Sequence, residues 1–174
     1  QTCGLLLGGG YPELYAQALS ENREMRQKIG RAVLDGMPCI AECGGFLYLH
    51  HRLQGMDGQW YPMADVIPAS AQKGERLQRF GYVTLTAKQD GLFLKKGDQM
   101  PAHEFHYWQS DACGGDFRAE KSGTDSAWNT GYAGETLYAG FPHFHFYSNP
   151  QYALRFVRKC AEFGGNHHAI TGNS

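Results

Sequence analysis

Apolar runs that stop abruptly at glycines limit the folds open to this chain. Gly4-Leu5-Leu6-Leu7 ends in Gly8-Gly9-Gly10, and Pro38-Cys39-Ile40-Ala41 runs into Glu42-Cys43-Gly44-Gly45. A third run, Thr136-Leu137-Tyr138-Ala139, leads into Gly140-Phe141-Pro142-His143-Phe144-His145-Phe146. Short, continuously apolar segments read as strands of a parallel sheet buried on both faces, and glycine lets each strand turn sharply into the next element. Asn22 to Asp35 reads as a helix: Met25, Ile29, Ala32 and Val33 fall at i, i+4, i+7 and i+8, with Asn22 as N-cap and Gly36 as stop. Asn149 and Pro150 open another helix, with Leu154, Val157, Cys160 and Ala161 on its apolar face. The expected class is an open α/β fold, whose sites lie at the carboxyl ends of the strands. Gly8–Tyr11, Cys43–Gly45 and His143–His145 are therefore expected to converge.

From about Tyr61 to Tyr107 the pattern changes. Phe80-Gly81-Tyr82-Val83-Thr84-Leu85-Thr86 alternates β-formers and reads as an antiparallel strand. His103-Glu104-Phe105-His106-Tyr107 reads as another, with Glu104 and His106 on one face and His103, Phe105 and Tyr107 on the other. Residues 114–134 are polar and turn-rich, His50-His51 is read as a helix end, and residues 164–174 are expected to form a flexible tail.

Composition excludes several classes of function. A net charge of −1 gives no electrostatic case for nucleic acid or an anionic membrane as partner. No apolar run approaches the roughly 18–20 residues of a membrane span, and no signal-peptide order opens the chain, so the cytoplasm is expected. The five cysteines include no C-x-x-C pair, which argues against a disulfide framework and against structural zinc.

Among those cysteines, Cys43 stands apart. Ala41-Glu42-Cys43-Gly44-Gly45 fits the small-x-nucleophile-x-small pattern of a nucleophile elbow, a strand-to-helix turn too tight for larger flanking side chains. The elbow sets the thiol at a helix N-terminus, where the dipole favours thiolate, and aims the Gly44 N–H at the site as half of an oxyanion hole. A thiolate nucleophile needs a base, and the base an orienting acceptor. His143 and His145, two apart on an extended segment, are candidates for those roles. The same pair suits a zinc ion if His103 or Glu104 supplies a third ligand. Gly8-Gly9-Gly10 admits three readings: a plain turn, an anion-binding loop, or the other half of the oxyanion hole. It matches neither common phosphate-loop pattern.

Taken together, these residues resemble the class I glutamine amidotransferase domain of cobyrinic acid a,c-diamide synthase and its relatives. The matching segments are Leu7 to Leu14, Ala41 to Gly45, Tyr61 to Ala64, Gly81 to Val83, His103 to Tyr107, His143 to Phe146 and Ser148 to Pro150, in the family's order. The resemblance implies a flavodoxin-like sheet with helices on both faces over residues 1–163, lacking its first strands, and an exposed sheet edge at Gly4–Leu7 that favours self-association. It implies that Cys43 attacks the side-chain amide of glutamine, with His143 as base and then acid, His145 as its orienter, and Gly9, Gly10 and Gly44 holding the oxyanion and the glutamine. Glu104, His106 and Tyr107 are expected as substrate or interdomain contacts. No cofactor or metal is expected in this domain. The ammonia would serve amidation of a tetrapyrrole on an ATP-dependent synthetase domain, where ATP and Mg belong. The other readings are a different Cys–His hydrolase on a flavodoxin-like fold and an idle binding subunit.

Overall fold

In a computed structural model that describes residues 2–171, with side chains through residue 165, the glycine-ended runs are the strands of one sheet. β1 (Leu5–Leu7) pairs in parallel with β2 (Cys39–Glu42), Leu5 opposite Cys39 and Leu7 opposite Ala41. A 3-10 turn at Pro12–Tyr15 and two helices, α1 (Ala16–Glu21) and α2 (Arg23–Leu34), connect these strands. The ends of α2 form where the side-chain chemistry places them. Asn22 accepts a hydrogen bond from the Met25 N–H at 3.3 Å. Gly36, at φ +89°, lets the Gly36 and Met37 N–H groups reach Val33 and Ala32 carbonyls, closing a Schellman motif. After β2 comes the short α3 (Gly44–Tyr48).

The middle of the chain is more extensively β than its composition suggests. Strands β3 (His50–Gln54), β4 (Trp60–Pro62) and β5 (Ile67–Lys73) join β8 (Trp108–Ser110) in a four-stranded sheet ordered β4-β3-β5-β8. β6 (Arg79–Ala87), β7 (Gln99–His106), β9 (Phe117–Lys121) and β10 (Ala127–Thr130) form an antiparallel sheet. Residues 114–134, read as turns, hold β9, β10 and β11 (Tyr132–Ala133); Phe117 and Ala119 point inward while Arg118 and Glu120 face water. His50 opens β3 instead of ending a helix, and is fully buried.

The chain then returns as β12 (Leu137–Gly140), parallel to β2 with Gly140 opposite Glu42, so the first sheet is ordered β1-β2-β12-β11. β13 (His143–Phe144) adds to β7 at the edge of the antiparallel sheet, and a 3-10 turn (Phe146–Ser148) leads into α4 (Pro150–Thr171). Asn149 accepts from the Gln151 N–H at 3.2 Å, as expected of a cap before proline. Residues 164–171, read as a tail, continue this helix, because extending an existing helix costs far less than starting one, even across Gly164 and Gly165. The rest of that tail, residues 172–174, lies outside the described residues.

β2 divides the interior. Cys39 and Ala41 face a cluster with Val33 of α2, Phe46 and Leu47 of α3, Leu53, Met63 and Ile67. Ile40 faces the other way, into Val83, Leu85, Met100, Phe117, Tyr138 and Tyr152 of α4. Helices therefore cover both faces of the parallel sheet. β1 is its edge strand, and the outward-facing Leu6 is exposed.

Candidate active site

Three strands end at the same place. At the end of β2 the chain bends through Cys43 at φ 46°, ψ −101°, a conformation non-glycine residues rarely hold. Packing around the turn sustains it. A side chain at Gly45 would run into the Leu7 carbonyl, and one at Gly44 would meet Gly10 O at 2.7 Å. The Cys43 N–H donates to Gly140 O at 2.8 Å and the Gly45 N–H to Gly8 O at 3.1 Å. Gly44, first residue of α3, has no intrahelical acceptor for its N–H. The small residues predicted around the nucleophile are thus required by the contact between the elbow and the Gly8–Gly10 loop.

His143 arrives from the far side on β13. Its imidazole is hydrogen-bonded to Cys43 and lies with Nδ1 3.7 Å from Oε2 of Glu42. The contact with Cys43 first, and Glu42 second, raise the pKa of His143 to about 10, against the opposing effect of burial. Gly9 completes the enclosure, since a methyl group there would occupy the space of the His143 ring. Gly10 carries no such restriction, but its backbone abuts Gly44. Cys43, His143, Gly9, Gly10 and Gly44 are therefore brought together.

His145 is not. β13 is only two residues long, and His145 sits at φ −115°, ψ 91° before the 3-10 turn, exposed, with its ring beside Tyr147. Among the described residues no hydrogen bond joins it to His143. The acidic or basic side chain that faces the far ring nitrogen of His143 is Glu42, not His145. Its Oε1 accepts the Phe144 N–H at 2.9 Å, locking the carboxylate against β13, and Oε2 faces His143. The available signal was a carboxylate directly beside the candidate nucleophile. Strand alternation hides it, because neighbours on a strand face opposite ways. The left-handed turn at Cys43 ends that alternation, so consecutive residues reach one imidazole.

The remaining candidates lie along β7. Glu104 and His106 face inward as expected. Glu104 is 1% exposed, and neither carboxylate oxygen has a hydrogen-bond partner. Oε2 lies 3.9 Å from His106 Nε2. His106 stacks flat on Phe141, 3.6 Å between centroids, and its Nδ1 donates to Trp108 O at 2.7 Å. Tyr107 is exposed and packs edge-on against Phe105. Cys43 Sγ is 4.0 Å from the Phe105 carbonyl, so β7 passes directly beside the nucleophile. Elsewhere, burial pushes the Cys39 thiol up to about 12 and raises those of Cys113 and Cys160. No three His, Cys, Asp or Glu side chains among the described residues are grouped to hold a metal ion.

Known proteins resemble this chain in sequence and in fold. Residues 2–151 match the family of CobB/CobQ-like glutamine amidotransferase domains. The cobyrinate a,c-diamide synthase of Caldanaerobacter subterraneus subsp. tengcongensis is 36% identical over 165 residues, 94% of this chain and 36% of that protein. The enzyme of the same name from Synechococcus sp. is 36% identical over 161 residues, 91% of this chain and 35% of its own. The chain thus spans about a third of the length of these relatives. A solved glutamine amidotransferase from Thermotoga maritima shares the fold, with a TM-score of 0.52 over 98% of this chain and 66% of that one, at 16% identity. The chain belongs to the family of CobB/CobQ-like glutamine amidotransferase domains.

Proposed function

We propose that this chain is the glutamine-hydrolysing part of an ATP-dependent amidating enzyme, and that its ammonia is used on the a and c carboxylates of cobyrinic acid or a related tetrapyrrole. The observation that carries the glutaminase reading is the meeting of Cys43, His143 and Glu42 at the elbow. The substrate follows from the names of the relatives.

In this reading Cys43 attacks the carboxamide carbon of glutamine as a thiolate. The Gly44 N–H, with backbone N–H groups of the Gly9–Gly10 segment, holds the developing oxyanion. His143, protonated, gives its proton to the departing ammonia and leaves a thioester on Cys43. Now neutral, His143 takes a proton from water, which hydrolyses the thioester to glutamate and restores the thiolate–imidazolium pair. Glu42 fixes the imidazole through Nδ1 and stabilises its positive charge. ATP and Mg belong to a synthetase unit on the same or another chain. The loop Gly8–Gly10 packs on the elbow and beside His143.

The test is labelling of the intact enzyme with a diazo-ketone analogue of glutamine. Expected is a single adduct at Cys43, prevented by excess glutamine, with loss of glutamine hydrolysis. An adduct at Cys113 instead, or labelling indifferent to glutamine, overturns the reading.

A further inference from the structure

The outer face of the antiparallel sheet is aromatic where a solvated face should be polar. Phe80 lies directly opposite Phe105, and Tyr82 directly opposite His103. Their rings touch edge-on: Phe80 with Phe105 at 5.9 Å and with His103 at 6.0 Å, Tyr82 with His103 at 5.2 Å, and Phe105 with Tyr107 at 5.8 Å. All four of Phe80, Tyr82, Phe105 and Tyr107 are exposed. Soluble proteins seldom leave a contiguous apolar patch of this kind bare without a binding role.

The position of the patch says what it is for. His103 is opposite Tyr82 on one side and opposite His143 on the other. Residues directly opposite in antiparallel strands share a face. Tyr82, His103 and the catalytic imidazole thus form one row across three strands. The carbonyl of Phe105, within the patch, is the group 4.0 Å from Cys43 Sγ. The aromatic face is therefore the apron of the site where ammonia is released. Ammonia becomes ammonium in water at neutral pH and stops being a nucleophile, so the unit that consumes it must seat against this opening. The relatives hold nearly two thirds of their length outside the stretch that matches this chain, room for such a unit.

We propose that the Phe80, Tyr82, Phe105 and Tyr107 face is the docking surface for the acyl-activating, amide-forming unit, which meets it with an apolar surface of its own. This rests on the glutaminase reading above. Its expected occupant is that unit and not a second copy of this chain.

Two measurements on the intact enzyme test it. The first is nitration of tyrosines by tetranitromethane. Tyr82 is 73% exposed in this chain and Tyr147, on the 3-10 turn before α4 and outside the four-residue patch, 89%. Expected is nitration of Tyr147 with Tyr82 and Tyr107 protected; nitration of Tyr82 as fast as Tyr147 overturns the proposal. The second is the double variant Phe80→Ser with Tyr82→Ser. Glutamine-supported amidation should fall about tenfold or more, as for loss of central aromatic anchors, while glutamine hydrolysis and ammonia-supported amidation stay within about twofold. Unchanged coupling overturns the proposal, as does an equal fall in glutamine hydrolysis or mere dissociation of a homodimer with coupling intact. A wild-type enzyme that never hydrolyses glutamine at Cys43 sinks the glutaminase reading instead, and the nitration result still reports on the surface.

Discussion

In the proposed mechanism Glu42 takes the orienting role that the sequence reading gave to His145, and a pair of variants tests the exchange. Glu42→Gln keeps the shape and the acceptor for the Phe144 N–H but removes the charge facing His143. We expect kcat for glutamine hydrolysis to fall about tenfold or more, and His145→Ala to stay within about twofold, because only the first removes support from a general acid–base. The pH profile moves with it. In the proposed mechanism His143 gives its proton to the departing ammonia, so activity should be lost as pH rises through its pKa, which is raised to about 10. Removing the Glu42 charge lowers that pKa, and the alkaline limb should shift to lower pH. Because the folded-state value is raised, the stabilisation from these contacts is full below the ordinary histidine value of about 6.5 and disappears as pH rises through about 10. An unmoved alkaline limb in Glu42→Gln would remove Glu42 from the mechanism. Cys43 was singled out in the sequence by its small neighbours, whereas the run after an apolar strand narrowed the imidazole only to His143 or His145, and the family resemblance chose His143. Glu42 was not legible, because period-two alternation assigns it to the wrong side, and the turn that corrects this depends on packing between the elbow and the Gly8–Gly10 loop.

Elements with local causes were the easiest to read. The boundaries of α2 follow from Asn22 and Gly36, and the start of α4 from Asn149 and Pro150, because caps act within one turn. Gly36→Ala tests the first of these. At φ +89° a left-handed backbone costs an alanine about 1–2 kcal/mol, so the melting temperature should drop about 2–8 °C with glutamine hydrolysis unchanged. An unchanged melting temperature would mean that the Schellman bonds form without glycine. The strands of residues 114–134 were not legible. Phe117 and Ala119 alternate correctly with Arg118 and Glu120, but five residues of such a pattern beside glycines look like a loop until β6 supplies the partner. β5 and β8 were hidden for the same reason, since each is stabilised by pairing across a longer sequence separation, while β4 pairs locally with β3 but is only three residues long.

At the scale of the molecule, β2 is the common wall of both apolar clusters. Cys39 and Ala41 are buried in one, Ile40 in the other, and all three are fully inaccessible. Neither cluster can come apart without uncovering that strand. Thermal unfolding of the described fold should therefore be a single transition, with far-UV and near-UV circular dichroism melting together. Two separated transitions would show that the clusters are independent. The placement of β2 also sets the clock of the nucleophile. The Cys43 N–H, bonded to Gly140 O at the end of this wall, can exchange with heavy water only when the wall itself gives way. A thiol carried on a loop would fluctuate on the loop's own fast timescale. Here the backbone that carries the Cys43 sulfur is tied to the central strand, so its anchor shifts only when the sheet opens, while the side chain keeps its own rotamer motion.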